Sequence, residues 1–512
     1  MDAVVDVGMV KPAISPFKRE LAYYPARNQR RWLLLLVVAI TIVLYYALYV
    51  GGGVATLLLP QLKIPFAIFV YLIAAGNLLG AFASLLAGLT DRFGRANLVV
   101  YGLLVVALIT LFWIPNATSM LSWGFAYWAV AFVEGIILVA TPALIRDFSP
   151  QVGRATAMGF WTVGPVLGSL TVSLVNTSTL SLYQTWQSQY IICGVVSLVV
   201  FVLAFFFLRE LAPGLRDQLM VSERDRVLIE LKAKGLDIEA SLRKPWRQML
   251  HADIIVSALG VSVLLLFYYT AVGFGVIYMV FIFHFSVNEA NALGNWAWAS
   301  NAVALVVGGV ISDHFRVRKP FMVIGGIGAL VLTAIYVAEV GQSPSFMLLA
   351  VITSVQSIFV GVAYVAWMAS FTETVEARNP ALTATGLAVW GWLLRLVVTL
   401  SLIVLPMVVS SMNTLVMAPT YLAQYNRMVM ANMTPPAALV AQLQLVQGAA
   451  AAAPEQWRIW FGICNAGVVV FVATVFVMRG RWSPARARQD EAAHNEMVAR
   501  ELAEFKQRPV AG

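Results

Sequence analysis

Charge is what this chain has least of. Only 12% of its 512 residues are Asp, Glu, Lys or Arg, about half the share found in soluble globular domains, so a water-facing surface over most of the molecule is excluded. Cysteine is almost absent: Cys193 and Cys464 are the two in the chain. Both sit inside apolar runs, with no spacing for a disulfide framework or a metal ligand set, and are expected as buried, inert thiols. Also missing are a phosphate-cradling Gly-Lys-Ser loop, a metal-ligand cluster and a nucleophile elbow. Catalysis and ATP hydrolysis are therefore not expected, and any work done would draw on an ion gradient such as that of protons, without a cofactor.

What is there is hydrophobic, at 60% of residues, arranged in runs of about 20 or more that suit an all-α membrane protein. The 34 Lys and Arg against 25 Asp and Glu leave a net charge of +9. These basic residues gather in the polar segments flanking the runs, which favours topology over nucleic acid as the explanation. The first 31 residues carry Lys11, Lys18, Arg19, Arg27, Arg30 and Arg31 without the short apolar core of a secretory signal. The amino terminus is expected in the cytoplasm, and the protein in the cytoplasmic (inner) membrane.

In order, the runs predict spans near 32–59, a second ending near 89, then 98–114, 121–145, 155–174 and 189–208. A mixed-charge segment, 209–251, follows as a cytoplasmic linker. Six more spans are predicted near 254–283, 290–311, 321–340, 346–371, 382–409 and 457–478. This divides the chain into a tail 1–31, a six-helix bundle 32–208, the linker 209–251, a second bundle 252–478 with a long outer segment 410–456, and a tail 479–512, both tails being cytoplasmic. The outer segment reads as a partly helical cap, with disorder open for the alanine run Ala449–Ala453.

The two bundles look duplicated. Gly88-Leu-Thr-Asp-Arg-Phe-Gly-Arg95 returns as Gly309-Val-Ile-Ser-Asp-His-Phe-Arg316, with Asp91 and Asp313 about 222 positions apart. Tyr45-Tyr46 and Tyr268-Tyr269 repeat at about 223, and the glycine pair Gly159/Gly164 returns as Gly386/Gly391 at about 227.

The charged hairpin 88–95 resembles the signature loop between helices two and three of the major facilitator superfamily of secondary transporters, and 309–319 resembles its weaker copy between helices eight and nine. The resemblance implies twelve transmembrane helices in two pseudo-symmetric bundles, alternating access around a midplane site, and a gating role for Asp91, Arg92, Arg95, Asp313 and Arg154. Pro150-x3-Arg154, Gly159, Gly164-Pro165 and Gly168 resemble the glycine-proline element of its antiporters. Phe160 and Ala131 stand where that pattern has glycine and arginine, so antiport is not carried over.

Ionisable groups inside spans cost free energy and need a reason. Arg395, mid-span on a small and polar face with Ala388, Gly391 and Thr399, is a candidate anion binder through its two-pronged guanidinium. A cation in helix eleven also resembles the oxalate and organic-anion carriers of the superfamily. Glu134, in the fourth span, is a candidate proton carrier; pairing of Glu134 with Arg395 is the structural alternative. Tyr45, Tyr49, Tyr268, Tyr269, Asn295, Asn301, Gln356 and Trp392 complete an expected pocket, no metal being assigned.

The reading that follows is proton-coupled secondary transport of a small organic anion, a carboxylate, by a monomer whose partners are its solute and the bilayer. Two readings stay open beside it, a proton-coupled exporter of drugs or other amphipathic compounds and a transport-silent membrane sensor or scaffold. Substrate identity and transport direction are not legible in the residues.

Overall fold

In the computed structural model the described residues are 19–84, 86, 93–148, 162–212, 215, 245–378, 383–478, 480–486 and 489. The helices that could span are α1 (Arg27–Gly53), α2 (Phe66–Ser84), α3 (Arg95–Leu108), α4 (Met120–Phe148), α5 (Gly164–Tyr183), α6 (Trp186–Phe207), α7 (Ala252–Ile282), α8 (Val287–Phe315), α9 (Lys319–Ala338), α10 (Phe346–Arg378), α11 (Thr383–Val408) and α12 (Ala437–Val477). Ten of these regions are long and apolar enough to cross a bilayer. The other two, α5 and α8, are the polar ones.

Their polarity has a structural cause. α5 carries Ser169, Ser173, Asn176 and Thr177, and α8 carries Asn291, Asn295 and Asn301. The two helices pack against each other in the interior, where Asn176 meets Asn291 and Asn295 meets Thr177, while Asn301 donates to the Ser357 carbonyl of α10. The helix of the fifth span consequently ends about nine residues later in the chain than hydropathy places it: the apolar run points to 155–174, whereas helix continues to Tyr183 through Asn-Thr-Ser-Thr. Residues 149–161 of that run lie outside the described residues.

Two bundles result, α1 to α6 and α7 to α12. They meet through α1 against α7, α2 against α11 and α5 against α8, the exchange of partners that a two-fold relation between halves produces. Gly52 lets α1 and α7 touch, since a Cβ there would fall 2.5 Å from the Val272 carbonyl oxygen. Gly135 does the same inside the first bundle, where a Cβ would run into the backbone of Gly80.

The outer segment is more ordered than its composition suggests. A helix, Ala418–Met430, packs on the first turns of α12, and Ala449–Ala453 lies inside that single helix of 41 residues. Alanine loses the least on entering a helix, and a neighbour to pack against supplies the rest. At the opposite face, where α1 starts, a parallel pair of two-residue strands joins β1 (Glu20–Leu21) to β2 (Glu210–Leu211). This face also carries Arg95 and Arg318, and is called the basic face below; the other is the far face.

Candidate functional site

Glu134 is buried, 3% exposed, and its Oε1 accepts no hydrogen bond. Arg395 lies within its electrostatic reach but not in ion-pair contact; Nη1 of Arg395 donates instead to the Ser84 hydroxyl (3.1 Å) and the Gly80 carbonyl (3.4 Å) on α2. Its Nε and Nη2 donate to no described residue. α11 is itself fixed to α2 by Asn77, whose Nδ2 donates to Thr399 Oγ1 (3.0 Å) and to the Arg395 carbonyl (3.3 Å). The guanidinium is thus neither turned to the bilayer nor neutralised by a contacting carboxylate.

Four tyrosines stand next to this pair. Tyr45 feels Glu134, Tyr268, Tyr269 and Arg395 electrostatically, and its ring centroid lies 5.5 Å from that of Tyr49, one helical turn on. Tyr268 and Tyr269, in α7, are edge to face at 5.2 Å. Tyr46, the other half of the repeated Tyr-Tyr pair, is fully buried within the first bundle, because one residue along a helix turns it by about 100°.

Beyond Tyr49 and Tyr268 lies a cavity lined from both bundles. Tyr49, Tyr268, Asn301 and Gln356 line it as the sequence suggests, together with Ser169, Ser173, Trp298 and Tyr336, which sequence reasoning missed. Two expected residues stand elsewhere. Asn295 reaches across the halves, its Nδ2 donating to Thr177 Oγ1 at 3.2 Å. Trp392 is 36% exposed and packs edge-on to Phe82 over the seam between α2 and α11, since it sits on a different stave of the helix from Arg395.

The far side of the cavity is sealed. Asn176 Nδ2 donates to Asn291 Oδ1 (3.0 Å), and Asn291 Nδ2 donates to the carbonyls of Gly53 (3.0 Å) and Val287 (2.8 Å), so one amide ties α1, α5 and α8. Nearer the far face, the Ala67 N–H donates to Asn413 Oδ1 at 2.8 Å. An asparagine inside an apolar span is costly unless answered, and that was the available signal for Asn176 and Asn291.

At the basic face, Arg95 Nη1 binds both oxygens of Asp147, at 2.8 and 2.6 Å, and the Arg95 backbone N–H donates to Glu210 Oε2. Asp313 pairs with Arg318 at 2.6 Å, and Arg318 also meets Glu373 at 3.0 Å. Asp91, Arg92 and Arg154 lie outside the described residues. Cys193 and Cys464 are buried free thiols, as their surroundings suggested.

Two six-helix bundles around a central polar site, sealed at one face, define a membrane carrier of the alternating-access kind. The chain matches the Major Facilitator Superfamily of transporters over residues 37–283. The fold is similar to a bacterial homologue of the human lysosomal transporter Spinster in an inward-facing, unoccupied conformation, with TM-score 0.65 at 18% identity over 90% of this chain and all of that one. It is also similar to a D-xylose-proton symporter, with TM-score 0.56 at 16% identity over 73% of this chain and 89% of that one. The partially occluded, inward-open xylose transporter XylE from E. coli gives TM-score 0.56 at 14% identity, covering 73% and 91%. No curated protein matches the chain in sequence.

Proposed function

We propose that this carrier moves a small organic anion, a carboxylate, coupled to protons. The observation that carries the reading is Arg395: an interior guanidinium whose Nε and Nη2 find no acceptor among the described residues, held in place through Nη1. A carboxylate fits two parallel N–H donors, and a cation in a low-dielectric interior gains most when an anion arrives. Glu134 is the coupling group. Charged, it competes electrostatically with the incoming anion for Arg395; protonated, it releases the guanidinium to the substrate. Proton and anion binding are then linked without touching.

We place the protein in a cytoplasmic membrane with both termini inside, since the basic face holds Arg95, Arg316, Arg318 and Lys319. The test is uptake into proteoliposomes. An inward proton gradient accelerates carboxylate uptake, Arg395→Gln abolishes it, and Glu134→Gln permits exchange at equal rates with and without the gradient. Uptake indifferent to Arg395→Gln would remove the anion reading.

A second reading draws on the cavity itself, whose lining is aromatic, hydroxyl and amide with no charged side chain. That favours proton-coupled export of amphipathic compounds. Efflux of lipophilic cations with Arg395 dispensable would select it.

A further inference from the structure

The cavity and the Arg395–Glu134 pair are neighbouring but distinct places, since neither Arg395 nor Glu134 lines the cavity. Tyr45 and Tyr269 face the pair electrostatically without lining the cavity, Tyr268 lines the cavity, and Tyr49 does both, lining the cavity while still feeling Glu134. The rings within each couple are 5.5 and 5.2 Å apart, so each couple carries one tyrosine on the cavity wall and one outside it. From there the cavity, lined from both bundles, extends past Trp298, which meets Tyr268 edge to face at 5.4 Å, to Phe267, Tyr278 and Phe461.

The wall is not purely greasy. The Tyr268 hydroxyl lies beside Tyr49 and Ser169, and the Tyr278 hydroxyl beside Tyr336, yet neither closes a hydrogen bond although both oxygens are buried. Tyr278 is 1% exposed as a whole. A buried hydroxyl without a partner is costly. No lining residue is charged, so a second ionised group on the ligand would be left uncompensated there.

We propose that the cavity receives the body of the transported anion, so that the cargo is a monocarboxylate bearing a ring-sized apolar group with at most neutral polar substituents, not a short acid or a dicarboxylate. The inference rests on the anion reading given above. The carboxylate sits at Arg395 and the ring lies past the tyrosine layer, in the cavity against Tyr268 and Trp298. Burying one ring in such a cavity corresponds to on the order of a hundredfold in affinity.

Calorimetric titration of the protein in nanodiscs tests this, using 3-phenylpropionate, acetate, oxalate and the uncharged 3-phenylpropanol as probes. 3-Phenylpropionate is expected to bind about a hundredfold more tightly than acetate or oxalate. Gly275→Leu fills the cavity, because a Cβ at Gly275 meets nothing nearer than the Ala271 Cβ at 4.0 Å. It should cut the 3-phenylpropionate-to-acetate ratio at least tenfold, and Ala271→Leu, entering the same cavity from the next turn, should reproduce that. Arg395→Gln should weaken 3-phenylpropionate but not 3-phenylpropanol. If acetate and oxalate bind as well as 3-phenylpropionate, if no 3-phenylpropionate binds, or if both filling variants leave the ratio unchanged, the cavity assignment is overturned. If 3-phenylpropanol binds as tightly as 3-phenylpropionate and Arg395→Gln changes neither, the anion reading beneath it fails instead.

Discussion

The two halves repeat one another in sequence but hold themselves together differently. At the basic face the first half has Arg95 against Asp147 and the second has Arg318 against Glu373, pairs displaced by about 223 and 226 positions. The first pair is enclosed, its side chains 10% and 4% exposed, and the Arg95 backbone is capped by Glu210 next to the β1–β2 strap. In the second, Arg318 is 14% exposed, but its partners Asp313 and Glu373 are 70% and 56% exposed. The far ends of α2 and α8, about 221 positions apart, differ in the same spirit. α8 is capped from within by Ser286 and Glu289, α2 by Asn413 of the other half. A shared ancestral plan thus fixes where charges and helix starts fall, while burial and partner choice decide what each is worth.

The largest expected effect separates the two basic-face pairs. Arg95→Ala breaks the enclosed contact with Asp147 and should cost about 3–5 kcal/mol, whereas Arg318→Ala breaks a solvent-screened pair worth about 1 kcal/mol or less. Thermal unfolding in nanodiscs measures both, and equal losses would abolish the contrast. Next comes the far-face seal. Asn291→Ala removes the donor to Gly53 and the acceptor for Asn176, an expected bias of about 1–3 kcal/mol toward opening. An Ala297→Cys thiol under the seal should then react faster with an impermeant reagent applied from the far face. Cys193 and Cys464 are buried and stay silent in that assay; an unchanged rate would mean that Asn291 does not hold the seal.

Smaller effects distinguish the helix caps. Asn413→Ala and Ser286→Ala should each cost about 1 kcal/mol as lost caps. Only Asn413→Ala, which also cuts a tie between halves, should raise the labelling of the Ala297→Cys thiol. The smallest effect is one of pH. The Ser286 backbone N–H and hydroxyl hold the exposed Glu289 carboxyl below its usual range. Its contribution is therefore present above the ordinary carboxylate pKa, about 4.3, and is lost as pH falls through the lowered value. Unfolding midpoints followed from pH 7 to 3 should drop slightly more for the unaltered protein than for Ser286→Ala. A larger drop in the variant would reverse the sign and rule out the cap as its source.

Sequence by itself determined the class, the number and order of spans and the position of the basic face, because each follows from local quantities: twenty apolar residues match the hydrocarbon thickness, and basic residues flank them. It also put Arg395 and Glu134 in the interior, since an ionisable residue within such a run has nowhere else to go. Tertiary structure alone decided which polar residues face each other. The serines and asparagines of α5 and α8 lowered the apolar signal of their own helices, and their partners lie more than a hundred positions away, so neither the true extent of α5 nor the Asn176–Asn291–Gly53 tie could be read locally. Likewise Trp392 and Asn295 shared depth with the site but not direction, and direction depends on how whole bundles are rotated against one another.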